Sequence, residues 1–121
     1  MNGSHTVERC EEVTEWTLNA VYEALYMNRV TLEETVLKPS MVISGKDCSR
    51  QAGTEEVAER TVRVLKRCVP AAVTGIAFLS GGQSDEQATV NLNAMNRMCR
   101  PSCVTRAVRA RVCTRPISPP R

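Results

Sequence analysis

The sequence predicts an α/β protein with a parallel sheet, two strands flanked by about three helices. Two observations carry this: helical periodicities alternate with short apolar runs along residues 1–96, and the run Ala72 to Leu79 is continuously apolar rather than alternating. A continuous run suits a strand covered on both faces, and strands separated by helices imply right-handed crossovers and parallel pairing. Size sets the limit. The 121 residues allow one modest domain, and with Trp16, Tyr22, Tyr26 and Phe78 as the only large rings the core must be Val, Leu, Ala and Met.

The first helix is read from Val7, Cys10, Val13, Thr17, Ala20, Ala24 and Leu25 recurring at three or four, with Glu11, Glu12, Glu15 and Glu23 off that stripe. Ser4 or Thr6 can cap it. Val30 to Leu32 and Thr35 to Leu37 read as extended, and Pro39 forbids helix through Lys38, so Lys38 ends a strand. A polar loop opens at Ser44-Gly45-Lys46. Thr54 can then cap a second helix running through Val57, Ala58, Thr61, Val64, Leu65 and Cys68, which Val69-Pro70 stops. After the strand Ala72 to Leu79, Ser80 to Gln83 forms a turn. Ser84 with Gln87 three later fits a capping box, and Ala88, Leu92 and Met95 carry the stripe of a third helix.

Charge divides the chain. The net charge is +3, yet residues 1–96 carry 9 Lys and Arg against 13 Asp and Glu, and residues 97–121 carry seven Arg and no acid. Arg with Ser, Thr, Pro, Val and Cys, without apolar period, reads as an unstructured basic tail, so we expect two regions, 1–96 and 97–121. The tail could meet phosphates through charge alone, but it has no aromatic residue to stack on bases, and nucleic acid is not expected as a partner. The first twenty residues are acidic and no apolar stretch approaches the ~20 residues of a membrane span, so no membrane contact and a cytoplasmic location are expected. The six cysteines lack CxxC spacing and a nearby histidine, and read as reduced thiols rather than a disulfide frame or a zinc site.

Chemistry in parallel α/β folds collects where strands end, because loops and helix amino termini expose N–H groups there. Two motifs fall on that edge. Ser80, Gly81 and Gly82 precede a helix, so their N–H groups could hold a phosphate that a side chain would keep away; the commoner role of Ser-Gly-Gly is a plain turn. Lys38 could serve as a nucleophilic amine if burial beside other cations lowered its pKa. The commoner role of such a lysine is a solvated charge with its stem on apolar surface.

Val21-Tyr22-Glu23-Ala24-Leu25, Leu32-Glu33, Leu37-Lys38-Pro39-Ser40-Met41-Val42, Val69-Pro70-Ala71-Ala72-Val73-Thr74-Gly75-Ile76, Leu79-Ser80-Gly81-Gly82-Gln83-Ser84 and Asn91-Leu92-Asn93-Ala94-Met95-Asn96 together resemble class I fructose-1,6-bisphosphate aldolase, from about Ser4 to Asn96. The resemblance implies a partial (β/α)8 TIM barrel, since a closed barrel takes roughly 250 residues. The two strands would be the sixth and seventh. It implies a glycolytic lyase that cleaves fructose 1,6-bisphosphate through a Schiff base to dihydroxyacetone phosphate and glyceraldehyde 3-phosphate. No metal or other cofactor is implied; the partners are a sugar phosphate and, as the family is typically homotetrameric, further copies. Lys38 matches the Schiff-base lysine, and Ser80, Gly81 and Gly82 match the loop holding a substrate phosphate. The family's catalytic carboxylates would fall before Met1, and its phosphate-binding arginine after Asn96. Either a weakly active or inactive truncated enzyme or a non-catalytic fragment that binds other chains is therefore expected. Past Asn96 the family's pattern gives way to Arg, Cys, Ser and Pro, as a shifted reading frame or altered exon would produce.

Overall fold

A computed structural model describes residues 2–98 and the backbone of 111–113. The chain forms α1 (Val7–Met27), a 3-10 turn (Leu32–Glu34), β1 (Val36–Leu37), α2 (Thr54–Cys68), β2 (Gly75–Leu79), α3 (Asp85–Met98) and β3 (Arg111–Cys113). The sheet order is β1-β2-β3, all parallel, with Val36 opposite Gly75 and Leu37 opposite Ile76. The α/β class, the parallel pairing and the three helices agree with the sequence reading. β3 does not: Arg111–Cys113 lies within the segment expected to be unstructured, and pairs with Ala77, Phe78 and Leu79. An exposed β2 edge offers free N–H and C=O groups, and an Arg-Val-Cys triplet supplies the chain to meet them. Residues 99–110 and 114–121, the rest of that expected tail apart from Arg97 and Met98, lie outside the described residues.

α1 begins at Thr6, whose hydroxyl accepts the Arg9 N–H at 3.3 Å. It ends in a pair of nested bonds, Val30 N–H to Leu25 C=O and Arg29 N–H to Tyr26 C=O, both 3.0 Å, with Arg29 left-handed at φ 55°. That closure and the 3-10 turn replace the extended reading of Val30 to Leu32. The buried face also differs from the expected stripe. Val7, Glu11 and Leu18 are buried, whereas Val13 and Val21 are exposed. The cause is α2, which presents Arg60, Arg63 and Arg67 to α1. Arg60 donates to Glu11 at 2.6 Å and to Glu8 at 2.8 Å, Arg63 to Glu11 at 3.2 Å and Arg67 to Glu15 at 3.3 Å. Glu11 and Glu15, read as lying off the apolar stripe, therefore form the seam with Glu8, and Val13 and Val21 line a groove with Leu37 of β1.

α2 starts one residue earlier than read, with Gly53 rather than Thr54 at the cap, and buries Val57, Ala58, Thr61, Val62, Val64, Leu65 and Cys68. Thr61 does double duty, donating to the Val57 carbonyl and accepting the Val42 N–H at 3.0 Å, which fixes the segment after β1 on this helix. β2 is shorter than the apolar run, because Pro70 to Val73 close a turn (Val73 N–H to Pro70 C=O, 3.1 Å). Ile76 and Phe78 are buried beneath the helices, while Gly75, Ala77 and Leu79 are only half-buried on the opposite face. The core is Phe78, Met41, Met95, Val42 and Val64 with their neighbours.

The loop after β1 is tied down at both sides. Gly45 N–H donates to His5 C=O at 2.9 Å and Asp47 N–H to Gly3 C=O at 3.0 Å. A Cβ at Gly45 would run into the Gly3 carbonyl, so glycine is what allows the two backbones to meet.

Candidate active site

Lys38 follows the last residue of β1 and Ser80 the last residue of β2, so both motifs stand at the carboxyl edge of a parallel pair. One further ladder bond, Leu79 N–H to Pro39 C=O at 3.1 Å, holds the two strand ends together past the strands proper. Pro39 keeps that chain extended and directs Ser40 and Met41 down onto the core, where Met41 is buried.

The side chains open into two different hollows. Lys38 is exposed and lines a groove of about 610 Å3 between α1 and β1, with Cys10, Val13, Val21, Leu37 and Met41 among its walls. The other charged or titratable groups of that lining are Arg9, His5 and the Cys10 thiol. The burial beside cations that a nucleophilic Lys38 would need is not provided by the described residues, since the residue is open to solvent, as in the commoner reading of such a lysine. Gly81 and Gly82 face a second, polar hollow of about 360 Å3, whose walls include Lys46, Gln51, Gln83, Gln87 and Asn91. Ile43 lines both.

The Ser80–Gln83 turn is closed by the Gln83 N–H on the Ser80 carbonyl at 3.2 Å, and Gly81 and Gly82 take φ of 64° and 80°. Both lie in the left-handed region, where only glycine is free of strain. Among the described residues the Gly81 and Gly82 N–H groups donate to no protein acceptor. Two unspent donors lead into α3. The predicted capping box there is half present: Ser84 accepts the Gln87 N–H at 3.2 Å, but the Gln87 side chain turns to Asn91 and Thr54 instead of returning to Ser84.

Two features were missed in the sequence. Lys46, read only as part of a polar loop, reaches over the turn: a Cβ at Gly82 would lie 3.4 Å from its Cε and 3.6 Å from its Nζ. Lys46 has no acidic partner among the described residues. Asn91 was part of a motif without a role, yet it is 2% exposed and bonded to Gln83 at 2.6 Å. A polar residue on the stripe of α3 was the available signal. No three His, Cys, Asp or Glu side chains converge among the described residues.

Comparison with known proteins bears on the whole arrangement. The family described as fructose-bisphosphate aldolase class-I matches residues 1–108, extending past Asn96, where the sequence reading ended the resemblance. A probable fructose-bisphosphate aldolase class 1 of Xanthomonas axonopodis pv. citri is 59% identical over 98 residues, 81% of this chain and 29% of that protein. Fructose-bisphosphate aldolase C-A of Danio rerio is 50% identical over 106 residues, 86% of this chain and 29% of that protein. Fructose-bisphosphate aldolase 4, cytosolic, of Arabidopsis thaliana is 53% identical over 98 residues, 81% of this chain and 25% of that protein. Among solved structures, fructose-bisphosphate aldolase of Plasmodium falciparum, in a complex with TRAP and a small-molecule inhibitor, superposes with a TM-score of 0.85 at 42% identity, over 92% of this chain and 31% of that one. The chain spans less than a third of the length of these relatives, and its fold is a slice of a (β/α)8 barrel. On these grounds the chain belongs to the class I fructose-bisphosphate aldolase family, whose members are lyases.

Proposed function

We propose that this chain carries the carbonyl-binding part of a class I aldolase site, with Lys38 as the Schiff-base nucleophile and Ser80, Gly81 and Gly82 as the cradle for a phosphate of fructose 1,6-bisphosphate. The observation that carries this reading is the Leu79–Pro39 bond, which sets the amine-bearing strand end beside two unspent glycine N–H donors. The neutral amine attacks the C2 ketone, the carbinolamine loses water, and an iminium forms. Cleavage of the C3–C4 bond then sends its electron pair into the iminium, giving the enamine of dihydroxyacetone phosphate and releasing glyceraldehyde 3-phosphate; C3 of the enamine takes up a proton, and water hydrolyses the resulting iminium to dihydroxyacetone phosphate and the free amine. The bond breaks only if a base takes the C4 hydroxyl proton. The family resemblance assigns no residue of this chain to that base, so turnover by the chain alone is weak or nil. A cytosolic setting and homotetrameric assembly belong to the same reading, the former supported by the Arabidopsis relative's name.

A second reading, a non-catalytic fragment that binds other aldolase chains, is favoured by β1, whose outer edge has no partner among the described residues. Incubation with dihydroxyacetone phosphate and sodium borohydride, followed by peptide mapping, separates the two. The first reading predicts a reduced adduct on Lys38 that Lys38→Met abolishes. No adduct, beside an intact aldolase that labels normally, supports the second.

A further inference from the structure

Resting on the reading of Ser80–Gly82 as a phosphate cradle, we propose that Gln83 and Asn91 are positioning residues that hold the turn in its anion-binding conformation. Asn91 sits on α3 and is 2% exposed, yet both ends of its amide are engaged: Nδ2 donates to Gln83 Oε1 at 2.6 Å and Oδ1 accepts from Gln87 Nε2 at 3.1 Å. Gln83 passes the constraint on. Its Nε2 donates to the Ser80 carbonyl at 3.0 Å, the same oxygen that takes the Gln83 backbone N–H at 3.2 Å. The Ser80 carbonyl is thereby doubly held against the protein, and the next two N–H groups, those of Gly81 and Gly82, remain unspent among the described residues. An anion needs that polarity, donors outward and acceptor inward.

The clamp matters because, among the described residues, a single backbone bond, Gln83 N–H to Ser80 C=O at 3.2 Å, otherwise closes the turn. Two successive glycines at φ 64° and 80° have little intrinsic preference for those values over many others. An amide chain anchored on the buried Asn91 supplies further constraint, since a turn conformation that withdraws Ser80 from the half-buried Gln83 costs that amide its carbonyl partner and loosens its hold on Asn91. Gln83 Nε2 also lies 3.5 Å from Met41 Sδ, so the same side chain links the turn to the segment that follows Lys38.

The test is amide NMR of the 121-residue chain titrated with inorganic phosphate, with thermal unfolding read alongside. Gln83→Met keeps the length of the side chain but removes both amide bonds, and should weaken phosphate binding at the Gly81 and Gly82 signals about 10-fold. It also strands Asn91, so the double variant Gln83→Met with Asn91→Leu replaces both partners by apolar groups and should recover most of the wild-type unfolding temperature. Affinity in the double variant should stay about 10-fold weak. Wild-type affinity in the folded double variant would overturn the proposal, showing that the amides serve stability alone. Should Gln83→Met fail to fold, the double variant decides. If Gly81 and Gly82 of the wild-type chain do not respond to phosphate, the cradle reading itself fails and the proposal with it, an outcome distinct from loss of the clamp.

Discussion

Single residues carry strain and access that can be tested one at a time. Arg29 closes α1 at φ 55°, a position where glycine is the unstrained choice, and its guanidinium has no ion-pair partner among the described residues. Arg29→Gly should therefore raise stability by about 0.5–1 kcal/mol, read as a higher urea midpoint with unchanged slope. Gly45→Ala should act oppositely and cost about 1–3 kcal/mol, because a Cβ there meets the Gly3 carbonyl and drives residues 3–5 off the loop after β1. Cys68 is buried, and burial, followed by the nearby Glu15 carboxylate, pushes its thiol pKa up. Iodoacetamide labelling with peptide mapping should modify the half-buried Cys10 and Cys48 before Cys68. At this scale the sequence was legible where chemistry is local. Thr6 as a cap and Ser84 as a cap follow from hydroxyls reaching their own backbone. Gly53 in place of Thr54 was not legible, since a glycine cap offers no side-chain signal. Lys38 and Ser80–Gly82 stood out because they end apolar runs; Lys46 and Asn91 matter through contacts with residues distant in sequence, which no spacing reveals.

Between elements, the α1–α2 seam decides more than either helix alone. Arg60 is 20% exposed at its side chain and Glu11 11%, with Glu8 and Glu56 completing the cluster. Arg60→Met should cost about 2–3 kcal/mol, below the full penalty of a buried pair because Arg63 still reaches Glu11. Arg63→Met, at a 40% exposed side chain, should cost less than about 1 kcal/mol. A cost for Arg60→Met no larger than that for Arg63→Met would contradict the seam. Acid should loosen it too. Glu8 is held below its ordinary 4.5 first by its own backbone N–H, then by the Thr6 hydroxyl and the charges of Arg60 and Arg50. A carboxylate with a lowered folded pKa adds stability that is complete above 4.5 and is lost as pH falls below it. Urea midpoints followed from neutral pH through that range should decline, and Glu8→Gln should flatten part of the decline. The helices themselves were legible from their apolar period. The face of α1 was not, because ion pairing between facing helices overrode a valine stripe whose other side lines the groove beside Lys38.

The whole molecule is a slice of a barrel, and its sheet shows this. Among the described residues β1 has two residues and an outer edge without a partner strand, Val36 is 63% exposed, and Trp16, Val13 and Val21 of α1 are uncovered. A sheet this short, with so much apolar surface uncovered, is marginal as an independent fold. Thermal unfolding of the isolated chain should be broad and should depend on protein concentration; a sharp, concentration-independent transition would show that the slice stands alone. The alternation of helix and strand made the α/β class readable, and the family's motifs the barrel. β3 escaped because an arginine-rich composition says nothing of an edge that recruits it. We propose that the Lys38 amine and the Ser80–Gly82 donors act on one ligand although they open into separate hollows. Borohydride trapping at matched concentrations of dihydroxyacetone phosphate and phosphate-free dihydroxyacetone tests it most directly. A single site requires the phosphorylated ketone to label Lys38 at least about 10-fold faster, with inorganic phosphate suppressing the difference; equal labelling by the two ketones would rule a single site out.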